Sequence, residues 1–236
     1  MASCLCLHGA GGSAISLVIG IDCSTTATKA IAWTTDGRPA AVGRAEHTVA
    51  QPRPGWHEQS ADQWWRALIV ALRAIAEQID VRRVAGLAIA HQRETFVPVD
   101  DEGRPLRDAI LWMDDRAAGI LPEIAAAVGA DRFHRITGKR LSRNLTIAKI
   151  LWLQRHEPHV FGAARQYMDT HAYLVYRLTG RMATSWGSAD PTGLFDMQAH
   201  VWHSDLLGVA GIGEAQLPEL HPPAAPLGVV TSEAAA

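Results

Sequence analysis

The chain has few cysteines, no excess of charge of either sign and no long apolar run, and each absence excludes a class of protein. Only three cysteines occur in 236 residues, with no CxxC pair or histidine cluster at zinc-site spacing. The formal net charge is −2, so nothing directs the chain to nucleic acid or to an anionic membrane. No apolar run is long enough to cross a bilayer. These absences favour a protein of the reducing cytoplasm that binds neither nucleic acid nor membrane.

The composition is that of a globular protein with a sizeable core. Hydrophobic residues make up 48% of the chain and charged residues 19%, enough for one large domain or somewhat more. Residues 1–16 lack a basic start before their short apolar stretch, so they do not predict a secretory signal. We expect them to be a disordered or overlong N-terminal extension, and the folded domain to occupy residues 17–236.

The first half of the chain predicts an α/β order of elements. Residues 17–38 predict a strand, a tight turn and a second strand, and residues 40–49 a third strand. Residues 61–78 carry apolar side chains at spacings of three and four, which indicates a helix with one core-facing stripe. The apolar run at residues 84–90 is typical of a strand buried on both faces of a sheet. The predicted class is therefore α/β, with a mixed sheet flanked by helices.

The second half predicts a hairpin followed mostly by helices. The hairpin pairs residues 96–99 with residues 109–112. Helices are predicted at residues 115–128, 146–155, 171–178 and 203–209, and a polar turn at residues 187–190.

Two polar clusters follow predicted strands and are candidates for chemistry. Asp22 ends the first strand and precedes a turn rich in hydroxyl groups, where an acid can face a cation while hydroxyls and backbone N–H groups face phosphate. An ordinary polar hairpin turn is the alternative. The sequence Gln92-Arg93-Glu94-Thr95 lies just beyond the strand at residues 84–90, where ligands gather in α/β sheets.

Six segments in order resemble one family. They are GIDCSTTATKA, PRPGWHEQSADQWW, IAHQRETFVPVDDEGRPLRDAILWMDDRA, TIAKILWLQRHEPHVF, HAYLVYRLTG, and SADPTGLFD with VWHSDLL. Together, over roughly residues 17–232, they resemble the N-terminal domain of the FGGY carbohydrate kinases, in both its xylulokinase and its glycerol kinase forms. The resemblance implies an actin-like ATPase fold, related to ribonuclease H. It also implies transfer of phosphate from ATP, with Mg²⁺, to a hydroxyl of a sugar or polyol.

For the phosphate side, the resemblance implies that Asp22 lies near the metal and the transferring phosphate, in a catalytic role. Ser24, Thr25 and Thr26 match the turn that cradles phosphate, and Lys29 stands where relatives carry a cation. Ser24 replaces the commoner glycine, so we expect its Cβ either to strain the turn or to alter how phosphate approaches.

For the sugar side, the resemblance implies substrate contacts by Gln92, Arg93 and Glu94, a motif closest to that of glycerol kinases. An Arg–Glu pair can donate to and accept from adjacent hydroxyls, although an ion pair that only holds strand to helix is the alternative. Trp112 resembles an aromatic wall against the sugar, or else is core. Asn144 stands where glycerol kinases place a tyrosine, which argues against glycerol itself. Asp190 stands where serine or alanine is usual, and either caps a helix or faces the sugar.

The resemblance implies a catalytic base in a glycine-rich Gly-Asp turn, for which this sequence shows no counterpart, and a C-terminal ATPase domain, which we expect to be absent too. We therefore expect a truncated lobe that binds sugar, holds ATP only with a second lobe and is inactive alone. The alternative is a non-catalytic sugar-binding or regulatory module. An unpaired lobe exposes apolar surface, so we also expect self-association or a homodimer.

Overall fold

A computed structural model describes residues 3–6 and 17–235 of the chain. The strands are β1 (Ser3–Cys6), β2 (Leu17–Cys23), β3 (Ala27–Thr34), β4 (Pro39–Glu46), β5 (Glu58–Gln59), β6 (Val84–His91), β7 (Phe96–Val99), β8 (Ala109–Ile110), β9 (Gln166–Asp169), β10 (Ala183–Ser185), β11 (Phe195–Asp196), β12 (Val201–Trp202), β13 (Glu219–His221) and β14 (Pro226–Val229). The α-helices are α1 (Ala61–Ala76), α2 (Leu121–Val128), α3 (Ala130–Thr137), α4 (Thr146–His156), α5 (Pro158–Ala163), α6 (Thr170–Thr179), α7 (Trp186–Ala189), α8 (Ser204–Ala210) and α9 (Ser232–Ala235).

The largest sheet in the described residues is mixed and has six strands, whose order is β14-β1-β6-β2-β3-β4. β2 runs antiparallel to β3 and parallel to β6, and β3 runs antiparallel to β4. The predicted strand–turn–strand at residues 17–38 is confirmed, as is the third strand, which ends earlier than predicted at Glu46. The predicted α/β class with a mixed sheet is confirmed.

Helices α1 and α6 pack on one face of this sheet. The predicted apolar stripe of α1 is confirmed, because Trp64, Leu68, Ala71 and Ile75 are all buried. The Trp64 ring meets the Tyr173 ring of α6 edge-on, with centroids 6.0 Å apart. Buried aromatic pairs of this geometry add to the stability that burial itself gives. The two helices and the sheet thus form one core.

The opposite face of β2, β3 and β4 is open, and we call it the open face. Val18 on β2 and Val42 on β4 are 45% and 46% exposed. The prediction that β6 is buried on both faces is wrong, because Ala90 is exposed and Ala88 is only partly buried. Short alanine side chains extend the apolar run without needing a covering layer, so the run alone could not distinguish the two cases.

A second core is mainly helical and lies beyond the C-terminal end of β6. It includes buried side chains from α2, α3, α4 and α8, packed beside a four-stranded sheet of order β5-β8-β7-β9. The hairpin prediction is confirmed, since β7 and β8 pair antiparallel. The helix predicted from residue 115 instead begins as a 3₁₀ turn, Arg116–Ile120, before α2.

The polar turn predicted at residues 187–190 is wrong, because these residues lie in α7 and in the 3₁₀ turn that follows it. The Ser185 hydroxyl accepts a hydrogen bond from the Ser188 backbone N–H and so caps the first turn of α7. Capping of this kind stabilises helices too short to be stable alone.

The sequence predicted no element before Leu17, yet Ser3–Cys6 forms β1, antiparallel to β6 and parallel to β14. Pairing of this kind satisfies backbone N–H and C=O groups that an edge strand would otherwise expose. The rest of the predicted extension, residues 1–2 and 7–16, lies outside the described residues. Within the described residues, no helix is both long and apolar enough to cross a membrane.

Candidate active site

The turn between β2 and β3 is closed by Ser24. Its backbone N–H and its hydroxyl both donate to the Ala27 carbonyl oxygen, each at 3.0 Å. Among the described residues other than glycine, only Glu94, His200 and Ala224 have a positive φ. The strain expected from serine in place of glycine is therefore absent, and the Ser24 hydroxyl itself fastens the turn.

Asp22 and Lys29, both predicted for the phosphate side, are brought together by strand register. They lie directly opposite each other on β2 and β3, and Lys29 lies opposite Arg44 on β4. All three side chains are exposed. Residues directly opposite in an antiparallel pair have Cβ atoms about 5 Å apart. The strand register therefore places the Asp22 carboxylate beside Lys29, while Arg44, one strand further away, pairs with Glu46 at 2.9 Å.

A single carboxylate fits Mg²⁺ better than it fits a metal ion whose ligands all come from the protein. Mg²⁺ in phosphate-transfer sites takes one or two carboxylates and completes its shell with water and phosphate oxygens. The described part of the chain holds no group of three or more potential metal ligands. Exposed Asp22 thus fits a magnesium ion that arrives with phosphate.

A closed ring of hydrogen bonds, which we call the Thr25–Trp112 ring, connects this turn to the second polar cluster. Gln59 Nε2 donates to the Thr25 carbonyl oxygen, and Gln59 Oε1 accepts from Gln92 Nε2, both at 3.0 Å. Gln92 Oε1 accepts from the Thr95 hydroxyl at 3.2 Å. Thr95 Oγ1 accepts from the Trp112 backbone N–H, and Trp112 Nε1 donates to Thr25 Oγ1, both at 3.1 Å.

Gln59 is the member of the ring that sequence reasoning missed, whereas Thr95 belonged to the predicted polar cluster at residues 92–95. Gln59 is 1% exposed, and it also donates to the Thr48 carbonyl oxygen and accepts from Trp64 Nε1. The available signal was its place in the Gly-Trp-x-Glu-Gln segment. Gln92, predicted to contact substrate, is buried with its amide oxygen and nitrogen both engaged. Its side chain is therefore held within the protein, and its predicted contact with substrate stays a prediction.

Arg93 and Glu94 do not pair with each other. Arg93 Nη2 contacts Asp190 Oδ2 at 2.5 Å, and Lys139 Nζ contacts Asp190 Oδ1. Asp190 thus bridges two cations from distant segments, one of which, Lys139, sequence reasoning missed. Burial raises the pKa of Glu94, while the charges of Arg93, Lys149 and Lys139 lower it and that of Asp190 raises it. The predicted residues Arg93, Glu94 and Asp190 therefore share one electrostatic site.

Lys149 contacts the backbone of this site from helix α4, and sequence reasoning missed it as well. It is fully buried on α4, and its Nζ donates to the carbonyl oxygens of Glu94 and Leu111, both at 2.8 Å. Glu94 has φ of 57°, a conformation that costs free energy for a residue other than glycine. Burial lowers the pKa of Lys149 to about 7, against the opposing effect of Asp114 and Glu94. By donating to the Glu94 carbonyl oxygen, the Lys149 amino group holds this strained backbone in place.

Trp112 and Asn144 differ in how they relate to the site. Trp112 is 38% exposed, so it is not plain core, and its Nε1 donates to the Thr25 hydroxyl. Asn144 lies in the loop before α4, and no hydrogen bond of its side chain joins it to the described site. The structure brings Trp112 into the site and leaves Asn144 apart from these contacts.

Comparison with known proteins now decides the family. The chain matches the FGGY family of carbohydrate kinases, N-terminal domain, over residues 17–236. It belongs to the FGGY family of carbohydrate kinases. It is 34% identical to the xylulose kinase of Escherichia coli over 205 residues, which cover 87% of this chain and 42% of that protein. It is 30% identical to the glycerol kinase of Thermococcus gammatolerans over 209 residues, which cover 86% of this chain and 42% of that protein.

The fold of this FGGY chain agrees with solved structures of the family. The crystal structure of xylulose kinase from Rhodospirillum rubrum matches it with a TM-score of 0.86 and 32% identity, over 93% of this chain and 45% of that one. The predicted actin-like ATPase fold is confirmed. The chain spans less than half the length of the curated relatives that it matches.

Proposed function

We propose that this chain is the sugar-binding lobe of a kinase that transfers phosphate from ATP to a hydroxyl of a pentulose-type sugar or a polyol. The observation that carries the proposal is the Thr25–Trp112 ring, which holds a phosphate-type turn and a sugar-type face side by side. Family membership supports the reaction class, and the relatives named xylulose kinase and glycerol kinase support the substrate class.

The residues divide into two groups by what they offer a ligand. Asp22, Lys29 and the turn hydroxyls of Thr25 and Thr26 form the phosphate side. Asp22 is the residue that would hold Mg²⁺, which would supply positive charge to offset that of the phosphate. Glu94 accepts hydrogen bonds from sugar hydroxyls, Arg93 and Lys139 donate them, and Trp112 packs against the sugar carbons.

We further propose that the chain binds sugar weakly in the cytoplasm and does not turn over ATP alone. The curated relatives are more than twice as long as the matched region, so their activity belongs to the whole protein. Phosphoryl transfer needs a group that orients the nucleophile as well as a phosphate cradle.

Thermal and urea unfolding of the chain with D-xylulose, D-ribulose or glycerol tests the sugar site. A ligand at one hundred times its Kd should stabilise the chain by about 2.7 kcal/mol. Glu94→Gln should weaken that stabilisation, whereas Glu123→Gln, which alters a surface ion pair with Arg155, should not. If no sugar or polyol stabilises the chain, the sugar-lobe proposal is wrong.

Coupled detection of ADP tests the second claim. With the same sugars, ATP and Mg²⁺, the chain should show no turnover above background. Turnover in the ordinary kinase range of roughly 1–100 per second would show that the chain is a complete enzyme.

A further inference from the structure

Asp190 has an unusual position, because one carboxylate satisfies two cations of the candidate sugar site. Its Oδ2 accepts from Arg93 and its Oδ1 from Lys139, so both oxygens are engaged. The Asp190 side chain is 18% exposed, against 49% for Arg93. The carboxylate is therefore partly withdrawn from solvent, while the Arg93 guanidinium is open to a ligand.

Apart from the buried Lys149, the charged side chains of the sugar face cancel one another. Arg93 and Lys139 contribute two positive charges, and Glu94 and Asp190 two negative charges. These four groups interact, since the charges of Arg93, Lys139 and Asp190 all act on the Glu94 carboxyl. Without Asp190, the same face would carry a net positive charge and two cations with an open side for an anion.

We propose that Asp190 makes this site select uncharged sugars and polyols over sugar acids. The Asp190 carboxylate holds the place on Arg93 and Lys139 that the carboxylate of an aldonate would otherwise occupy. An incoming anion must displace it and also approach Glu94, whereas a hydroxyl group can share the same cations. This inference rests on the proposed sugar-binding function.

Asp190→Ala tests the proposal with two five-carbon ligands, D-xylulose and D-xylonate, which differ at C1 and C2: a hydroxymethyl group and a carbonyl in the first, a carboxylate and a hydroxyl in the second. Isothermal titration should show that the wild-type chain binds D-xylulose at least about tenfold more tightly than D-xylonate. Asp190→Ala should gain about tenfold or more in D-xylonate affinity, the range expected when a charge-assisted pair becomes available. Salt should reduce that gain.

Two further variants and one control separate selection from folding. Asp190→Asn keeps the shape and removes the charge, so it should shift the preference in the same direction. In Asp190→Ala/Lys139→Ala, the gain for D-xylonate should largely disappear. Asp205→Ala removes the carboxylate of a surface pair with Arg132 and should leave both affinities unchanged.

The outcomes distinguish this inference from the proposed function. If the wild-type chain binds D-xylulose but neither Asp190 variant gains D-xylonate affinity, Asp190 is only a structural latch and the inference is wrong. Equal wild-type affinity for the two ligands also overturns it. If the wild-type chain binds neither sugar nor sugar acid, the proposed function fails and the inference fails with it.

Discussion

Gln59 shows at the scale of one residue how a buried amide can organise two ligand sites. Its side chain reaches the phosphate turn at Thr25 and the sugar-side segment at Gln92, just after β6, although 34 and 33 residues separate it from them. A buried amide with every donor and acceptor satisfied rigidifies its neighbours, and one with partners missing destabilises them. The geometry of both half-sites therefore depends on a side chain that we expect to touch neither ligand.

Gln59→Leu should lower the free energy of unfolding by about 3 kcal/mol or more, because it leaves several buried groups without partners at about 1–3 kcal/mol each. Urea unfolding measures the loss. The control is Gln63→Leu, which removes an acceptor for Thr48 near the surface and should cost about 1 kcal/mol or less. Equal losses in the two variants would contradict a central role for Gln59.

Lys149 predicts a pH dependence. Its pKa is about 7 in the folded chain, because burial disfavours the charge, and its ordinary value is 10.5. Between these values the unfolded chain holds a proton that the folded chain lacks, so stability should rise with pH across this window and be lowest below pH 7. From pH 7 upward, the unfolding free energy of the wild type minus that of Lys149→Met should rise by at most about 1.4 kcal/mol per pH unit. Parallel pH profiles would contradict the prediction.

At the scale of elements, a buried cation joins the helices of the second core to the four-stranded sheet. Arg116 lies at the start of the 3₁₀ turn before α2, and its side chain is 1% exposed. It binds both oxygens of Asp114, pairs with Glu58 of β5 at 2.7 Å and lies over the Trp56 ring. Segments that look unrelated in sequence are thus joined through one guanidinium group.

Arg116→Met should destabilise the chain by about 3–5 kcal/mol, because Asp114 would stay buried without its cation. Arg143→Met removes the partner of Asp115 at the surface, where both side chains are half exposed, and should cost no more than about 1 kcal/mol. Chemical unfolding of the two variants gives the comparison. A small loss for Arg116→Met would mean that the second core does not depend on this pair.

At the scale of the whole molecule, the open face of the sheet predicts association. Val18 and Val42 lie exposed on adjacent parts of one sheet, and the net charge of −2 gives little repulsion between chains. Sedimentation velocity should therefore show association that increases with concentration, and Val18→Lys/Val42→Lys should reduce it. The control is Met197→Lys/Val201→Lys. It changes two apolar side chains that are about as exposed as Val18 and Val42 but lie outside the six-stranded sheet. Equal effects of the two pairs would exclude the open face as the contact.

Sequence patterns predicted the strands and helices that depend on residues close together in the chain. They missed the side-chain contacts between residues far apart in the chain. The strands around Asp22 and the stripe of α1 depend on local periodicity, so they could be predicted. The contacts of Arg93 could not, because its partner Asp190 lies 97 residues away and Lys139 in a third segment. Lys149 lies among the apolar side chains Ile147, Ile150 and Leu151, and only the fold shows that two carbonyl oxygens face it.

The Thr25–Trp112 ring also has a thermodynamic consequence. Suppose that a sugar bound against Trp112 restricts the motion of the residues of the Thr25–Trp112 ring. A phosphate that then binds at Thr25 has to order fewer of these residues, so its binding costs less conformational entropy. Linkage then makes the effect mutual: the factor by which sugar tightens the binding of phosphate equals the factor by which phosphate tightens the binding of sugar. We therefore expect the two ligands to bind with positive cooperativity, although their recognition groups lie in turns far apart in the sequence.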